Sequence, residues 1–230
     1  MSPIELNLQH VRAALDAATL GGHGKVSKPI FLLAVSKTQS ADTVREAFSA
    51  GQRAFGENYV QEGVAKIRAL ADLRASGIEW HLIGPLQSNK ARLVAQHFDW
   101  VHGIDRLKIA EALSRLRDPS KPLNVCIQVN ISQEASKSGV SPAEVLALAL
   151  AIRSLPNLKL RGLMTIIEHT HDASAQREQF RQMRQLQSQL LQAGLAVDTL
   201  SMGMSQDFQV AIEEGATMVR IGRAIFGERH

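Results

Sequence analysis

Apolar and polar residues alternate along the chain in blocks that predict eight strands, with one helix between each strand and the next. The chain opens with an amphipathic helix whose apolar face repeats every three or four residues, at Ile4, Leu8, Val11, Leu15 and Ala18. An apolar run at residues 30–35 follows, and such a run is typical of a parallel strand buried on both sides. Further runs complete the predicted set, at residues 53–55, 79–83, 100–102, 123–129, 158–164, 199–201 and 218–221.

Local signals mark where several of the intervening helices begin. Asp105 is predicted to be the N-cap of the helix after the fourth strand. Ser141 and Glu144 form a capping-box pattern at the start of another helix, with Pro142 in its first turn. The helix after the seventh strand is predicted at residues 205–214.

The strict alternation of strands and helices favours the α/β class and a parallel sheet with helical crossovers. Eight such units in 230 residues match a (β/α)8 TIM barrel, predicted as a single domain over residues 1–230 with the first helix as an N-terminal extra. A doubly wound open sheet is the alternative. It usually has fewer strands, and no G-x-G-x-x-G turn follows the first strand here.

Composition indicates what kind of protein this is and where in the cell it is expected. Hydrophobic residues make up 45% of the chain and charged residues 21%, as in ordinary globular proteins. The apolar stretches, such as residues 145–152, are too short to cross a bilayer, and the N-terminus lacks the pattern of a signal peptide. Cys126 is the single cysteine, so no internal disulfide is possible. We therefore expect a protein of the cytoplasm, with an organelle as the alternative, and no membrane partner.

Charge and aromatic content argue against two further classes of function. The formal net charge is only +4, the basic residues are scattered, and aromatic residues make up 4%, too few for a base-stacking surface. No nucleic-acid partner is expected. His169, His171 and Asp172 lie close together, but no cysteine supports them, and a solvated loop is the better interpretation. No metal site is expected.

Lys37 is the most informative of the polar residues at the predicted strand ends. Barrel active sites are built at the carboxyl ends of the strands, and Lys37 directly follows the apolar strand 30–35. At an apolar barrel mouth, desolvation lowers the pKa of an amine and makes it a candidate for Schiff-base formation with an aldehyde. A lone lysine at a strand end can equally be a solvated charge, so its position alone leaves both interpretations open.

A second polar cluster follows the seventh and eighth predicted strands. Barrels commonly bind phosphate with these two loops and a nearby helix N-terminus. Ser201 and Ser205 offer hydroxyl groups, and Gly222 allows close approach of the backbone. These residues are also ordinary turn and capping residues, but a lysine and a phosphate cradle at one mouth form a more specific combination. His81 and His102 point toward the same mouth, either as pocket residues or as structural histidines.

Six segments of the sequence resemble the YggS/PROSC family, the pyridoxal phosphate homeostasis proteins. They occur in the right order from about residue 30 to the end. They are AVSK at 34–37, FGENYVQE at 55–62, WHLIGPLQSNK at 80–90, GLM at 162–164, LSMGMS at 200–205 and VRIGRAIFG at 219–227.

The resemblance implies a barrel of the fold type III class, similar to the N-terminal domain of alanine racemase, that binds pyridoxal 5′-phosphate (PLP). It further implies a monomeric homeostasis protein that supplies PLP to PLP-dependent apo-enzymes, with indirect effects on amino-acid and keto-acid metabolism. Lys37 would hold PLP as a covalent aldimine, and Arg220 would face the pyridine nitrogen. The remaining implied contacts are Ser201, Ser205, Gly222 and Arg223 at the phosphate, and Asn58, His81 and Met164 along the pocket.

The sequence departs from the racemase pattern in ways that argue against efficient catalysis. Alanine racemase adds a second domain, and a tyrosine of the partner subunit is its second acid–base group. This chain ends at His230, just after the eighth unit, and its one tyrosine is Tyr59. Position 223 holds arginine where a small residue is common in the family, so Arg223 either contacts the phosphate or points to solvent. A PLP-dependent amino-acid racemase is the alternative function, and a Schiff-base aldolase ranks last.

Overall fold

The predicted barrel is confirmed by a computed structural model, which describes residues 1–21, 29–132, 134, 137–168, 170 and 172–227. Eight parallel strands close into a barrel in which each strand pairs with the next along the chain and the eighth pairs with the first. The strands are β1 (Phe31–Val35), β2 (Ala54–Glu57), β3 (Glu79–Leu82), β4 (Trp100–Ile104), β5 (Leu123–Gln128), β6 (Leu158–Met164), β7 (Thr199–Ser201) and β8 (Met218–Ile221).

Helices surround the barrel and connect its strands. They are α1 (Pro3–Gly21), α2 (Ala41–Ser49), α3 (Val60–Ala69), α4 (Ala91–His97), α5 (Leu107–Leu116), α6 (Val145–Arg153), α7 (Ala173–Gln192), α8 (Phe208–Glu213) and α9 (Arg223–Phe226). The extra helix α1 packs against α2, α8 and α9, so it covers the side where the last and first units meet. No helix in the described part of the chain combines the length and apolar character needed to cross a membrane.

Side chains that alternate along each strand divide the core into two parts. One face of the strands packs under the helices and forms the larger apolar cluster, which includes Ala34, Val101 and Val219. The other face fills the barrel interior with a smaller apolar cluster: Leu33, Ala54, Trp100, Cys126, Met164 and Met218. Polar residues share this interior and form the site described below.

Two of the predicted helix starts are wrong, and a third is confirmed. The N-cap of α5 is Arg106 rather than Asp105, whose carboxylate instead pairs with the Arg106 guanidinium at 2.6 Å. Helix α8 begins three residues after Ser205, because Asp207 accepts the Met204 N–H at 2.5 Å and closes a turn there. The capping-box pattern is confirmed, since the Glu144 carboxylate accepts the Ser141 N–H at 2.9 Å.

The predicted loop with His169 and His171 lies at residues outside the described part of the chain, although Asp172 is described and caps α7. Among the described residues, no group of three His, Cys, Asp or Glu side chains is arranged to hold a metal ion.

Candidate functional site

A cavity of about 280 Å³ opens at the carboxyl ends of the strands and brings together most of the predicted site residues. Six of the nine line it: Lys37, Asn58, Ser205, Arg220, Gly222 and Arg223. Its apolar walls come from Val35, Ile83 and the loop after β6. The charged groups on its wall are three cations and two carboxylates, namely Lys37, Arg220, Arg223, Glu168 and Asp207. A small cofactor that carries a dianion fits this size and charge.

Lys37 sits in a tight turn directly after β1. Its neighbour Thr38 has a φ of 67°, in the left-handed region that β-branched residues rarely adopt. Such a conformation costs on the order of 1–3 kcal/mol and persists only where surrounding contacts enforce it. Here the Glu62 carboxylate of α3 accepts the Thr38 N–H at 2.5 Å. The turn that carries Lys37 is therefore held in one conformation by a contact from α3.

A buried ion pair between Lys66 and Glu57 stabilises the same turn. The Lys66 ammonium donates to Ser36 O at 2.6 Å, to Glu57 Oε1 at 2.9 Å and to Glu62 Oε1 at 2.7 Å. The Ser36 hydroxyl donates to the same Glu57 oxygen at 2.6 Å. Burial raises the pKa of Glu57, although the ammonium of Lys66 opposes that shift. Both residues that flank Lys37 are thus fixed by one polar network, which we name the Lys66 network (Ser36, Thr38, Glu57, Glu62 and Lys66).

Arg220 supplies a fixed positive charge at the floor of the cavity. Its residue is only 4% exposed, and its guanidinium donates to Ser201 O at 2.6 Å, Ser201 Oγ at 2.8 Å and Thr165 O at 2.7 Å. Burial lowers the pKa of Arg220 to about 10, so the group stays charged at neutral pH. Its three acceptors leave the guanidinium little freedom to turn away from the cavity.

Two glycines allow backbone segments to meet at this mouth. A Cβ on Gly222 would lie 3.2 Å from Val35 O, so the close approach that Gly222 permits is to β1. A Cβ on Gly84 would lie 2.1 Å from Asn58 O, which no neighbour could accommodate. Gly84 was not predicted as a site residue, yet it sets the position of Asn58. Ser205 is half-buried in the cavity wall, and Arg223 is exposed at its rim.

Three predicted contacts lie below the cavity rather than on its wall. His81, Met164 and Ser201 are fully buried in the barrel interior and do not line the cavity. The Ser201 hydroxyl is already engaged by Arg220 and by His102 Nδ1 at 2.9 Å. Direct contact of these three residues with a ligand stays a prediction. In the structure their strand positions place them one layer deeper than the mouth, where Ser201 contacts Arg220 and His81 is linked to Ser201 through His102.

Other wall residues were not predicted. The loop after β6 contributes Ile166, Ile167 and Glu168, and Asp207 lines the wall between Ser205 and Arg220. The sequence could have predicted these wall residues, because the loops that follow barrel strands form the mouth of the barrel. Lys137 lies outside this cavity. It pairs with Glu134 at 2.5 Å and lines a neighbouring cavity of about 220 Å³ that shares Asn58, Ile83 and Ile166 with the first.

Comparisons with known proteins identify the family to which the chain is similar. Residues 7–230 match the family model described as alanine racemase, N-terminal domain. A curated relative from Vibrio cholerae is 55% identical over 231 residues, which cover 100% of this chain and 98% of the relative, and it is named pyridoxal phosphate homeostasis protein.

Solved structures show the same architecture. PipY of Synechococcus elongatus with PLP bound has a TM-score of 0.83 at 37% identity, and the match covers 97% of this chain and 100% of PipY. An alanine racemase of Corynebacterium glutamicum has a TM-score of 0.74 at 20% identity, over 98% of this chain and 61% of the racemase. At that identity the racemase shows a shared fold and no more.

Proposed function

We propose that this chain, which belongs to the family of pyridoxal phosphate homeostasis proteins, binds PLP at the barrel mouth. The observation that carries the proposal is the placement of Lys37, Arg220 and the Ser205–Gly222 loops on one small cavity. The PLP-bound structure of PipY, which shares the fold at 37% identity, supports it. When bound, PLP supplies an aldehyde that a lysine amine can hold covalently, a pyridine ring and a dianionic phosphate.

Different residues of this chain are proposed to bind the aldehyde, the ring and the phosphate. Lys37 is the proposed covalent attachment point, held ready by the Lys66 network. Ser205, Gly222 and Arg223 are the proposed phosphate contacts, and Asn58 lines the side of the cavity. Arg220 is proposed to donate to the pyridine nitrogen. An arginine keeps its proton at neutral pH, so it would leave that nitrogen unprotonated and make the ring a poor electron sink.

The same geometry favours storage and delivery of PLP over catalysis. Among the described residues of the cavity wall there is no histidine or tyrosine, and Tyr59, which is 60% exposed, is not one of the wall residues. We infer a monomeric, cytoplasmic carrier without enzyme-like turnover that passes PLP to apo-enzymes. PLP balance would then affect amino-acid and keto-acid metabolism indirectly.

Absorbance and chemical trapping test the proposal. Purified protein incubated with PLP is expected to show a visible absorption band, and borohydride reduction should fix the cofactor on the peptide that contains Lys37. Lys37→Ala should abolish the band and keep the circular dichroism of the barrel, because a half-buried residue in a turn contributes little to the core. Lys137→Ala is the matched control and should keep the band. Recovery of the reduced adduct mainly on another lysine would overturn the assignment.

A further inference from the structure

A continuous line of polar side chains crosses the barrel interior beneath the cavity. We name it the axial chain, and its members are Arg220, Ser201, His102, His81 and Glu79. Ser201 Oγ lies 2.8 Å from Arg220 Nη1 and 2.9 Å from His102 Nδ1. His102 Nε2 lies 2.9 Å from His81 Nδ1, and His81 Nε2 lies 3.4 Å from Glu79 Oε2. The three central members are fully buried.

The two ends of the axial chain lie at opposite ends of the barrel. Arg220 lines the floor of the cavity at the carboxyl ends of the strands. Glu79 is the first residue of β3, so it lies at the amino ends, where its side chain is 40% exposed and lines a separate cavity. The chain therefore connects the proposed cofactor site with the far face of the molecule.

The arginine end fixes the direction of the hydrogen bonds. A guanidinium can only donate, so Ser201 Oγ accepts from Arg220. The Ser201 hydroxyl then has its own proton to donate, and His102 Nδ1 is the acceptor within reach. His102 must consequently carry its proton on Nε2 and donate to His81 Nδ1. His81 in turn carries its proton on Nε2 and donates toward Glu79.

The carboxylate end is satisfied by the same direction. An ionised carboxylate can only accept, so it needs a proton on His81 Nε2. If the chain of singly protonated rings were reversed, a histidine lone pair would face that carboxylate and the Ser201 proton would lose its acceptor. Burial, together with the charge of Arg220, lowers the pKa of His102 well below its ordinary value, which keeps this ring neutral.

The surroundings of Glu79 stabilise its charged form. His81 donates to one oxygen, and Trp100 Nε1 donates to the other at 3.2 Å. The hydrogen bond from His81 is the main cause that lowers the pKa of Glu79, and Arg161 adds to it. Arg161 itself lies over the Trp100 ring and pairs with Asp198 at 2.7 Å. The Trp100 ring also stacks on His81, with centroids 5.1 Å apart, which fixes the plane of that imidazole.

We propose that the axial chain is a one-directional series of donors that holds the Arg220 guanidinium in place, and that Glu79 is a positioning residue for the cofactor site from the opposite end of the barrel. The direction of the hydrogen bonds in the axial chain is argued from the contacts in this structure and does not need PLP. The effect of the axial chain on the cofactor rests on the proposed function, since Arg220 must contact PLP for that effect to be measured.

Nitrogen-15 NMR of the histidine rings in PLP-free protein tests the direction. From the direction of the hydrogen bonds, Nε2 of both His81 and His102 is expected to carry a proton, and Nδ1 of both rings is expected to be an unprotonated acceptor. A proton on Nδ1 of either ring would overturn the one-directional chain. This measurement needs no cofactor, so its outcome is separate from that of the proposed function.

Glu79→Gln tests the positioning role, with Asp72→Asn as the matched control. Each change replaces one accepting oxygen by a donating nitrogen, but Asp72 pairs with Arg45 at an exposed site outside the axial chain. Glu79→Gln can satisfy only one of His81 and Trp100, so we expect altered histidine tautomers and release of PLP about tenfold faster, as for one lost hydrogen bond. Asp72→Asn should change neither. Equal release rates for wild type and Glu79→Gln would overturn the positioning role, as would a matching effect of Asp72→Asn.

Discussion

Replacement of Lys66 by methionine removes the cation of the Lys66 network and leaves a chain of similar length. The Glu57 carboxylate would then stay behind in a fully buried position, since its side chain is 0% exposed and that of Lys66 only 7%. Ser36 O would also lose the donor that lies 2.6 Å away. Glu57 Oε2 already lacks a hydrogen-bond partner, so the carboxylate would keep the uncharged Ser36 hydroxyl at Oε1 as a donor but would have no cation beside it.

The size of the loss follows from this burial. Removing one partner of a buried ion pair typically costs about 3–5 kcal/mol, because the other charge remains uncompensated. We expect that range for Lys66→Met at pH 8, out of a total free energy of unfolding of roughly 5–15 kcal/mol. An exposed pair provides the control. Arg45 and Asp72 meet at 2.6 Å with side chains 42% and 58% exposed, and Arg45→Met should cost far less than Lys66→Met because water screens the pair.

The pH dependence of the loss has a definite sign. The pKa of Glu57 in the folded protein lies above its ordinary value of 4.5, and loss of Lys66 raises it further. A group with a raised folded pKa stabilises the fold most below its unfolded pKa, and this contribution disappears as the pH rises through the folded pKa. The Lys66→Met protein can therefore neutralise Glu57 by protonation in acid. Its deficit relative to wild type should shrink between pH 8 and pH 5.

Urea unfolding followed by circular dichroism at both pH values measures these differences. The double variant Lys66→Met with Glu57→Gln should recover stability to within about 1 kcal/mol of wild type, because both charges are gone. The reasoning is refuted if Lys66→Met costs no more than Arg45→Met at pH 8. A double variant no more stable than the single one would contradict it as well.

Three further predictions concern ligand specificity, the buried thiol and turnover. Pyridoxal without phosphate should bind at least about 100-fold more weakly than PLP, because charge-assisted hydrogen bonds at Ser205, Gly222 and Arg223 are lost; equal affinities in a spectral titration would contradict that site. Burial raises the pKa of Cys126 to about 12, so at pH 8 a thiol reagent should label only unfolded protein, and fast labelling of the native state would contradict the assigned burial. With PLP present, alanine should exchange its Cα proton slowly in deuterated water, because the lack of one acid–base partner alone lowers a reaction rate by about 10²–10⁴-fold. Fast exchange that is lost in Tyr59→Phe would show that the protein is an enzyme.

The order of strands and helices could be predicted from the sequence because each strand is an apolar run with an end signal. The strand ends were less predictable. Strand β2 was predicted at 53–55 and extends over Ala54–Glu57, since Gly56 and Glu57 pair with His81 and Leu82 of β3. Neither a glycine nor a glutamate favours a strand by itself, so the pairing overrides local propensity. The same applies to α8, whose start is delayed by a hydrogen bond from the Met204 N–H to Asp207.

Which strand residues face the barrel interior could be predicted from alternation, but their depth along the axis could not. The resemblance implies that Ser201, His81 and Met164 contact PLP, whereas the structure places them in the barrel interior below the cavity wall; their contact with PLP stays a prediction. Depth depends on the stagger between neighbouring strands, which leaves no trace in the sequence of one strand; His81 lies beside Gly56 on one side and Trp100 on the other.

The axial chain itself was within reach of sequence reasoning. Glu79, His81, His102, Ser201 and Arg220 all occupy inward positions of predicted strands, and buried polar groups are nearly always hydrogen-bonded. A barrel interior filled by packed side chains leaves such groups few partners other than each other. The arginine at one end can only donate hydrogen bonds, and the glutamate at the other end can only accept them. The three groups between them do both, so one connected series satisfies the donors and acceptors of all five. Polar residues that a barrel buries on several strands are therefore best interpreted together, as donors and acceptors that must balance.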